Sequence, residues 1–533
     1  MIENVDYLVV GAGSAGCLLA NRLSADSRHQ VALLEAGGRD WNPLIRIPLM
    51  AGLLYFMPSL NWGYQTEAQP GMAGRRIVWP RGKVLGGCTA INGMMHIRGH
   101  REDYDRWAAR GLSGWSYRDV LPYFKAFEKN LGYPESDPYH GRNGEFFTAK
   151  AKGEHPLYHA WLEAAAQAGF RRNPDFNGAD QEGVGFYDFN ICNGRRVTAA
   201  DAFLKPIRDR RNLHVITNAT VERLVFEGRR CIGADVRHGG KVHRVRAHRE
   251  VVLSAGAVNS PQILQLSGIG DAQYLKSLGI PVVVDSPDVG QNLQDHLGVY
   301  VQYRCLQTNT LYALMRPDRA ILAGLRALLF GTGPAASVPL EAGGFLKTRP
   351  ELPIPDVHVT VVPGLSLATT RIGQMEHGFL TNVYQLRPES RGYVRIRSAD
   401  PKEKPEIQPN YLSAEADLRC LRDGVRLVRR IVSNAALDAF RGAEISPGEH
   451  VVSDQAIDEW VRKTANTIFH PVGTCRMGAD ERSVVDERLR VRGVEGLRVA
   501  DASVMPDIIG GNTSVPTMMI AERAAAFILE KPL

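Results

Sequence analysis

The stretch "DYLVVGAGSAGCLLANRLS", residues 6–24, decides the fold of this chain. Its apolar and β-branched opening predicts a buried strand, "GAGSAG" predicts a tight turn, and "CLLANRLS" has the apolar spacing of a helix. A second buried strand, "VALLE" at 31–35, follows. Strand, glycine turn, helix and strand in this order predict a βαβ unit at the start of a parallel sheet.

The turn contains Gly11, Gly13 and Gly16 in the pattern GxGxxG. Such glycines allow a tight turn, close approach of the backbone to a pyrophosphate, and close contact between helix and strand. Glu35 ends the second strand, where a carboxylate can accept hydrogen bonds from a ribose diol. We therefore predict that an adenine dinucleotide, NAD or FAD, binds here with its diphosphate at the helix N-terminus. The residues predicted to hold it are Gly11, Gly13, Ser14, Ala15, Gly16, Glu35 and Ala36.

The composition is that of a globular protein. Of 533 residues, 44% are hydrophobic and 23% charged, which argues against disorder, collagen-like repeats and a coiled coil. The net charge is only +7 and the basic residues are scattered, so we expect no nucleic-acid partner. Seven cysteines without a CxxC or Cys/His cluster predict a reducing compartment, the cytoplasm, and no metal site.

Two features bear on membranes. The first residues leave no room for a signal peptide before the first strand, so we expect none. The most apolar long stretch, "AILAGLRALLF" at 320–330, is too short to span a bilayer and contains Arg326. Peripheral attachment to a membrane surface is left open, as is the oligomeric state.

The rest of the chain alternates between segments with the periodicity of strands and segments with the periodicity of helices. Short alternating segments at 214–256, joined by turns containing glycine, predict an antiparallel meander that returns to a buried strand. Helical periodicity reappears at 260–268, 417–433 and 515–531. The fold class we predict is α/β, a Rossmann-like cofactor lobe with an inserted α+β lobe.

Five further blocks stand out along the chain. They are "RGKVLGGCTAINGMMHIRGHREDYDRW" (81–107), "SAGAVNSPQILQLSGIG" (254–270), "DVGQNLQDH" (288–296), "HPVGTCRMG" (470–478) and "LRVADASVMPDIIGGNTSVPTMMIAERAA" (497–525). In this order, the blocks resemble those of the glucose-methanol-choline (GMC) flavin oxidoreductases, and within these the choline-dehydrogenase-like and alcohol dehydrogenase branch. This resemblance implies FAD as the cofactor and the two-domain GMC fold.

The resemblance also implies a division of the chain. We expect an FAD-binding domain that is interrupted by substrate-side segments, with the active site in its last part. The predicted boundaries are 1–40, 80–129, 196–300 and 465–533 for the FAD-binding domain, 41–79 for a lid and substrate-side loops, 130–195 for a substrate-side segment, and 301–464 for the substrate-binding domain.

The second glycine cluster is where the family's flavin ring lies. Gly86 and Gly87 remove side chains from a backbone that must pass close to a flat ring. In covalent members a His directly precedes the motif Asn, and Ile91 stands there, so the resemblance implies non-covalent FAD. We read Cys88 as a small buried packing residue. The further cofactor contacts predicted are Val84, Gly87, Asn92, Gly93, Met94, Met95, Val221, Asp501, Ala502, Thr513, Pro516 and Thr517.

The resemblance assigns the chemistry to His470 and Asn512. A neutral His470 would accept the hydroxyl proton of an alcohol while the α-hydrogen leaves as hydride to the flavin, giving the aldehyde. Asn512 would hydrogen-bond the same oxygen. Nothing in the sequence ranks His296 above an ordinary core or surface histidine. We also name Glu341 as a candidate carboxylate for a quaternary ammonium, but favour an uncharged primary alcohol over choline.

Three alternatives stay open at this point. Electrons can pass to a quinone or similar acceptor, or to oxygen as in an oxidase. A lyase or light-driven decarboxylase can use the same fold, because function lies in the site rather than in the fold. A flavin-binding protein without catalysis is the third, and retention of the His470 and Asn512 pair argues against it.

Overall fold

The computed structural model describes residues 2–366 and 375–530. Eleven α-helices lie in this part of the chain. They are α1 (Ser14–Leu23), α2 (Ala51–Leu54), α3 (Arg101–Ala109), α4 (Tyr117–Phe127), α5 (Pro156–Gln167), α6 (Gly256–Leu266), α7 (Ala272–Ser277), α8 (Pro317–Phe330), α9 (Glu415–Val432), α10 (Asp454–Thr464) and α11 (Ser514–Leu529).

The strands of the same described ranges form two large sheets and several short ladders. They are β1 (Asn4–Val10), β2 (Val31–Leu34), β3 (Tyr64–Gln65), β4 (Val78–Trp79), β5 (Glu128–Asn130), β6 (Phe146–Lys150), β7 (Gly183–Phe186), β8 (Asp188–Phe189), β9 (Ile191–Cys192), β10 (Arg195–Arg196), β11 (Leu213–Ile216), β12 (Thr220–Glu227), β13 (Arg230–His238), β14 (Lys241–Leu253), β15 (Ile269–Gly270), β16 (Val284–Asp285), β17 (Leu297–Cys305), β18 (Ala342–Leu346), β19 (Val357–Val362), β20 (Gly378–Gln385), β21 (Tyr393–Arg395), β22 (Glu406–Gln408), β23 (Arg441–Ser446), β24 (Asn466–Thr467) and β25 (Leu497–Val499).

The first large sheet is built around β1. Its order is β11-β2-β1-β14-β13-β12, with β25 also paired to β14. The strands β11, β2, β1, β25 and the end of β14 run parallel, while β12, β13 and β14 form an antiparallel meander. The βαβ opening and the meander that returns to a buried strand are therefore confirmed. Both were readable because their apolar periodicity is local.

The second large sheet is antiparallel, in the order β23-β17-β20-β19-β18-β7, with β24 paired to β17. Helix α9 covers it, burying an apolar stripe that includes Leu418, Leu421, Val425 and Val428. The mixed α/β fold class is thus as predicted. The predicted domain boundaries stay predictions, although β7 and most strands of this sheet fall in the substrate-side segments.

The two ends of the chain meet beside the first sheet. Helix α11 packs on α1 within one apolar core. A partly buried ion pair joins them, since the Arg22 guanidinium lies 2.8 Å from the Glu522 carboxylate and 2.6 Å from that of Glu145. The starts of both helices are brought together by the same packing, with the hydroxyl oxygens of Ser14 and Ser514 3.4 Å apart.

A buried charged cluster anchors the segment that follows the second glycine cluster. The Arg98 guanidinium lies 2.7 Å from the fully buried Glu128 carboxylate. His140 is 3.3 Å and His96 3.2 Å from the other oxygen of Glu128. Burial alone would raise the pKa of Glu128, but Arg98 and the neighbouring His140 and His96 outweigh it and hold the pKa well below its usual range.

No helix within residues 2–366 and 375–530 is long and apolar enough to cross a membrane.

Substituting Glu128→Gln should lower the free energy of unfolding by about 3 kcal/mol, because Arg98 is left as an uncompensated buried charge. Chemical denaturation followed by tryptophan fluorescence measures it. The matched control is Glu163→Gln, which removes an exposed ion pair to Arg172 and should cost less than about 1 kcal/mol. Equal effects of the two substitutions would contradict a stabilising role for the cluster.

Candidate active site

A cavity of about 690 Å³ runs from the carboxyl ends of the parallel strands to the inner face of the antiparallel sheet. Sites at this edge of an open α/β sheet are the usual place for a nucleotide. Most of the residues predicted as the site line it: Gly11, Gly13, Ser14, Ala15, Glu35, Ala36, Gly87, Asn92, Gly93, Met94, Met95, Val221, His470, Asp501, Ala502, Asn512, Thr513 and Thr517.

Three predicted residues are not among those lining the cavity. Gly16 packs against the glycine turn, since a Cβ added there would lie 1.8 Å from the Gly11 carbonyl oxygen. Val84 belongs to a small apolar cluster with Ile91 and Ile45. Pro516 lies buried in the first turn of α11. That these three residues contact the cofactor stays a prediction. Cys88 lines the cavity and is half-buried, so the expectation of a buried packing residue is wrong.

The two glycine clusters touch each other, and the space they leave fits a dinucleotide. A Cβ on Gly87 would lie 2.7 Å from the Gly13 Cα, and Gly87 has a left-handed φ of +54°. Gly13 behaves differently, because a Cβ there meets no atom within 4 Å and its φ is −86°. Neither the packing nor the backbone conformation of the chain therefore requires a glycine at position 13. The free space beside Gly13 is what a pyrophosphate close to the backbone requires.

Two helix N-termini point positive dipole ends toward this space. Helix α1 begins after Gly13 and α11 after Thr513, and neither has a side-chain cap or an acidic residue in its first turn. Their first N–H groups are therefore available to an anion. The positive end of α11 would favour negative charge on a bound flavin.

Glu35 stands at the end of β2 with both carboxylate oxygens engaged. One accepts a hydrogen bond from the Ala12 N–H at 3.0 Å and the other from the Gly37 N–H at 2.7 Å. Burial raises the pKa of Glu35 to about 7. A carboxylate keeps further lone pairs, so Glu35 can still accept from a ribose hydroxyl.

The Asp501 carboxylate also accepts hydrogen bonds from within the chain. It accepts hydrogen bonds from the Gly256 N–H at 2.9 Å, the Ser260 hydroxyl at 2.6 Å and the Ser503 N–H at 2.8 Å. These bonds join the end of β25 to the start of α6. Asp501 therefore shapes the cavity wall that it lines.

The loop at Asn92 is held by a residue that the sequence did not reveal. The buried Arg196 guanidinium donates to the Asn92 carbonyl at 2.6 Å, to its side-chain oxygen at 2.9 Å and to the Thr89 carbonyl at 3.1 Å. Burial lowers the pKa of Arg196 to about 9, so the group stays charged at neutral pH.

His470 lies in a directed chain of hydrogen bonds. The Nε2 atom of His296 is 3.0 Å from the Leu386 carbonyl oxygen, which can only accept, so this nitrogen carries a proton. In a neutral His296 the Nδ1 atom is then the acceptor, and it lies 2.9 Å from the Nδ1 atom of His470. His470 must therefore be protonated on Nδ1 and bare on Nε2. That bare Nε2 lies 3.1 Å from the Asn512 amide nitrogen.

Both histidines are kept neutral. Burial, followed by the neighbouring His296 and Arg81, holds the pKa of His470 well below its usual value. Burial likewise lowers the pKa of His296 to about 4. At pH 7 the His470 ring is thus a free base with its lone pair on Nε2.

The backbone of His470 is fixed as firmly as its ring. Its N–H donates to the Asp295 carboxylate at 2.7 Å, and the other oxygen of Asp295 accepts from the hydroxyls of Tyr411 and Thr467. Phe469, directly before it, has a left-handed φ of +66°. A non-glycine residue keeps this unfavourable backbone conformation only where the surrounding contacts hold it in place.

Sequence reasoning missed Asp295 and His296 as supports of the site. Both residues lie in the block "DVGQNLQDH", whose only signal in the sequence is the family resemblance. The block lies far from His470 in the chain, and only the fold brings it under the histidine. His96 lies in the buried cluster around Glu128, while His358 lines the cavity and bonds two tyrosine hydroxyls.

The wall from the antiparallel sheet is mainly apolar and aromatic, with a few uncharged polar groups. It includes Tyr300, Thr360, Val362, Leu380, Asn382 and Tyr384. Of the described residues that line the cavity, the carboxylates are Glu35, Asp501 and the exposed Glu403, and none belongs to this wall. Glu341 does not line it, because its carboxylate accepts from the Gly153 N–H at 2.9 Å and from the Ser337 hydroxyl.

A cavity that joins a glycine-lined cradle for a dinucleotide to a neutral, oriented histidine is typical of the cofactor-dependent oxidoreductases. A family model described as GMC oxidoreductase matches residues 5–298, and a second with the same description matches 388–521.

Two named proteins of similar sequence are choline dehydrogenases. The mitochondrial choline dehydrogenase of Homo sapiens is 44% identical over 542 residues, covering 99% of this chain and 90% of that protein. The oxygen-dependent choline dehydrogenase of Brucella anthropi is 44% identical over 526 residues, covering 98% and 95%. The crystal structure of pyridoxine 4-oxidase from "Mesorbium loti" is 32% identical, with a TM-score of 0.90 and coverage of 99% and 100%.

The chain belongs to the GMC oxidoreductase family. The predicted family, two-domain fold, FAD as cofactor and FAD-dependent oxidation of an alcohol are thereby confirmed. The roles of individual residues stay predictions that rest on the geometry above.

Gly13→Ala should fold as the wild type does and bind FAD at least about tenfold more weakly, because the new methyl group fills only the space left for the diphosphate. Titration of the apoprotein with FAD, followed by flavin fluorescence, measures the change. Gly324→Ala, in α8 with no atom within 4 Å of its Cβ, is the matched control and should leave FAD affinity unchanged. Unaltered FAD binding by Gly13→Ala would remove Gly13 from the diphosphate site.

Proposed function

We propose that this enzyme oxidises an uncharged primary alcohol to its aldehyde, with His470 as the base. The observation that supports this most strongly is the bare Nε2 of His470, oriented by His296 beside the Asn512 amide. FAD, when bound, supplies the acceptor for the hydride that leaves the alcohol carbon. The chain's own residues bind and orient the alcohol and receive its hydroxyl proton.

The alcohol would take the place beside His470 that Asn512 partly fills. Its O–H donates to Nε2 of His470, while the Asn512 amide N–H donates to the alcohol oxygen. The side-chain oxygen of Asn512 is buried and has no hydrogen-bond partner in the described residues, so it is free to accept a hydrogen bond from a bound molecule. Proton acceptance by a positioned neutral histidine contributes typically about 10²- to 10⁴-fold in rate.

An uncharged substrate fits the wall better than choline does. A quaternary ammonium is usually held by aromatic faces together with a carboxylate. The described wall from the antiparallel sheet offers aromatic rings but no carboxylate. Glu341, the carboxylate named from the sequence, is turned to Gly153 and Ser337 instead. Choline is the substrate in the names of the relatives, whereas for this chain we propose a neutral alcohol.

We further propose that the electrons pass to a quinone or similar acceptor, and that the protein is cytoplasmic with peripheral membrane association. An oxidase reaction with oxygen is the alternative. Comparison of oxygen uptake with quinone reduction under turnover separates the two.

We propose that FAD is bound without a covalent link. Ile91, which lines the cavity directly before Asn92, has no atom able to bond to a flavin methyl group. Acid precipitation of the holoenzyme should therefore release all flavin to the supernatant. Flavin that stays with the polypeptide would contradict this.

His470→Ala should retain bound FAD yet lose at least about 10²-fold in the anaerobic rate of flavin reduction, because the base is removed and the coenzyme site is not. Stopped-flow bleaching with a panel of neutral primary, secondary, aromatic and quaternary-ammonium alcohols gives the rates. The wild type should bleach fastest with a neutral primary alcohol. A wild-type rate in His470→Ala would exclude His470, and choline as the fastest donor would refute the substrate class.

His296 should act as a positioning residue through His470. His296→Leu removes the acceptor of the His470 Nδ1 proton, so we expect the reduction rate to fall at least about tenfold with FAD still bound. His296→Gln keeps an acceptor oxygen and should recover most of the rate. A loss shared equally by both variants would mean that His296 serves packing alone.

A further inference from the structure

Helix α8 reverses the usual arrangement of a surface helix. Its buried residues are Ala323 and Ala327, while its large apolar side chains other than the partly buried Leu328 are exposed to solvent. A surface helix ordinarily buries the large residues and exposes the polar ones. The exposed fractions are 64% for Ile321, 68% for Leu322, 50% for Leu325, 63% for Leu329 and 75% for Phe330, and we call these five residues the α8 patch.

The patch is a continuous stripe. Ile321, Leu325 and Leu329 are spaced four residues apart and so lie on one face of the helix. The alanine side of α8 packs against Ile47 and the turn at Ala335 and Ala336, which fixes the stripe outward. An exposed apolar surface of this kind marks an interaction site.

Basic residues surround the α8 patch. Arg316 and Arg319 lie at the start of the helix and Arg326 in its middle, against the single acid Asp318, which pairs with Arg316 at 3.1 Å. Arg195 adds a fourth cation, since its guanidinium donates to the Leu328 carbonyl at 2.7 Å. Apolar side chains with a cationic border are the pattern of a helix that lies in the interface of an anionic membrane.

The α8 patch lies beside the active-site cavity. The segment 43–57, which supports the alanine side of α8, contributes Tyr55 to the cavity lining. The same segment leaves Leu53 and Phe56 exposed. Just before α8, the Leu311 N–H donates to the Pro363 carbonyl at 2.8 Å, two residues from Leu365 in the cavity wall.

We propose that α8 docks this protein on the surface of an anionic lipid bilayer, with the α8 patch among the acyl chains and its arginines at the headgroups. A second copy of the chain is the weaker occupant, because a two-fold contact through α8 would bring the arginines of both copies together. The inference rests on the proposed membrane association and not on the proposed reaction.

The test is sedimentation of the holoenzyme with phosphatidylcholine vesicles, with and without phosphatidylglycerol, alongside dye reduction by an alcohol. The wild type should sediment with the anionic vesicles, and less so as salt is raised. Leu325→Glu/Leu329→Glu should weaken this partitioning at least about tenfold while dye reduction is kept. The matched control, Leu131→Glu/Val452→Glu, alters two equally exposed apolar residues outside the patch and should bind as the wild type does.

The proposal is overturned if the wild type does not sediment with anionic vesicles. It is also overturned if Leu325→Glu/Leu329→Glu binds them with the same affinity as the control variant does. A wild-type dimer that the patch variant converts to a monomer, without vesicle binding, would assign the patch to self-association instead. Vesicle binding and dye reduction are separate readouts. A wild type that binds anionic vesicles but does not reduce the dye with any alcohol would therefore count against the proposed reaction alone.

Discussion

The hydrogen bond between the His296 and His470 rings, at the end of the cavity, fixes which nitrogen of each ring carries a proton. Two Nδ1 atoms 2.9 Å apart can share only one proton, and the Leu386 carbonyl decides which ring supplies it. The consequence is a lone pair on Nε2 of His470, aimed at Asn512. Burial then prevents either ring from taking a second proton at neutral pH.

The two lobes contribute to this pair in different ways. The antiparallel sheet supplies the carbonyl of Leu386, just after β20, and the apolar wall against which an alcohol would lie. The parallel sheet and its two helix N-termini supply the dinucleotide cradle. Asp295, between the lobes, fixes the His470 backbone through one oxygen and two hydroxyl donors through the other. The site is therefore assembled from residues of both lobes.

What the sequence predicted well was local. The βαβ opening, the glycine turn and the start of α11 are specified by residues near one another, and the cradle around Gly13 followed from them. His296 could not be found this way, because it reaches His470 across 174 residues of chain. Arg196 reaches Asn92 across 104 residues and was missed for the same reason. Glu341 failed as a substrate carboxylate because sequence does not show which way a buried side chain turns.

The most direct measurement is ¹⁵N NMR of the histidine-labelled holoenzyme, with the His470 signals assigned by their loss in His470→Gln. We predict a protonated Nδ1 and an unprotonated Nε2 for His470 throughout the range from pH 6.5 to pH 8, since its pKa is held well below its usual value by burial. A His470 that carries its proton on Nε2, or on both nitrogens at pH 7, would contradict the account.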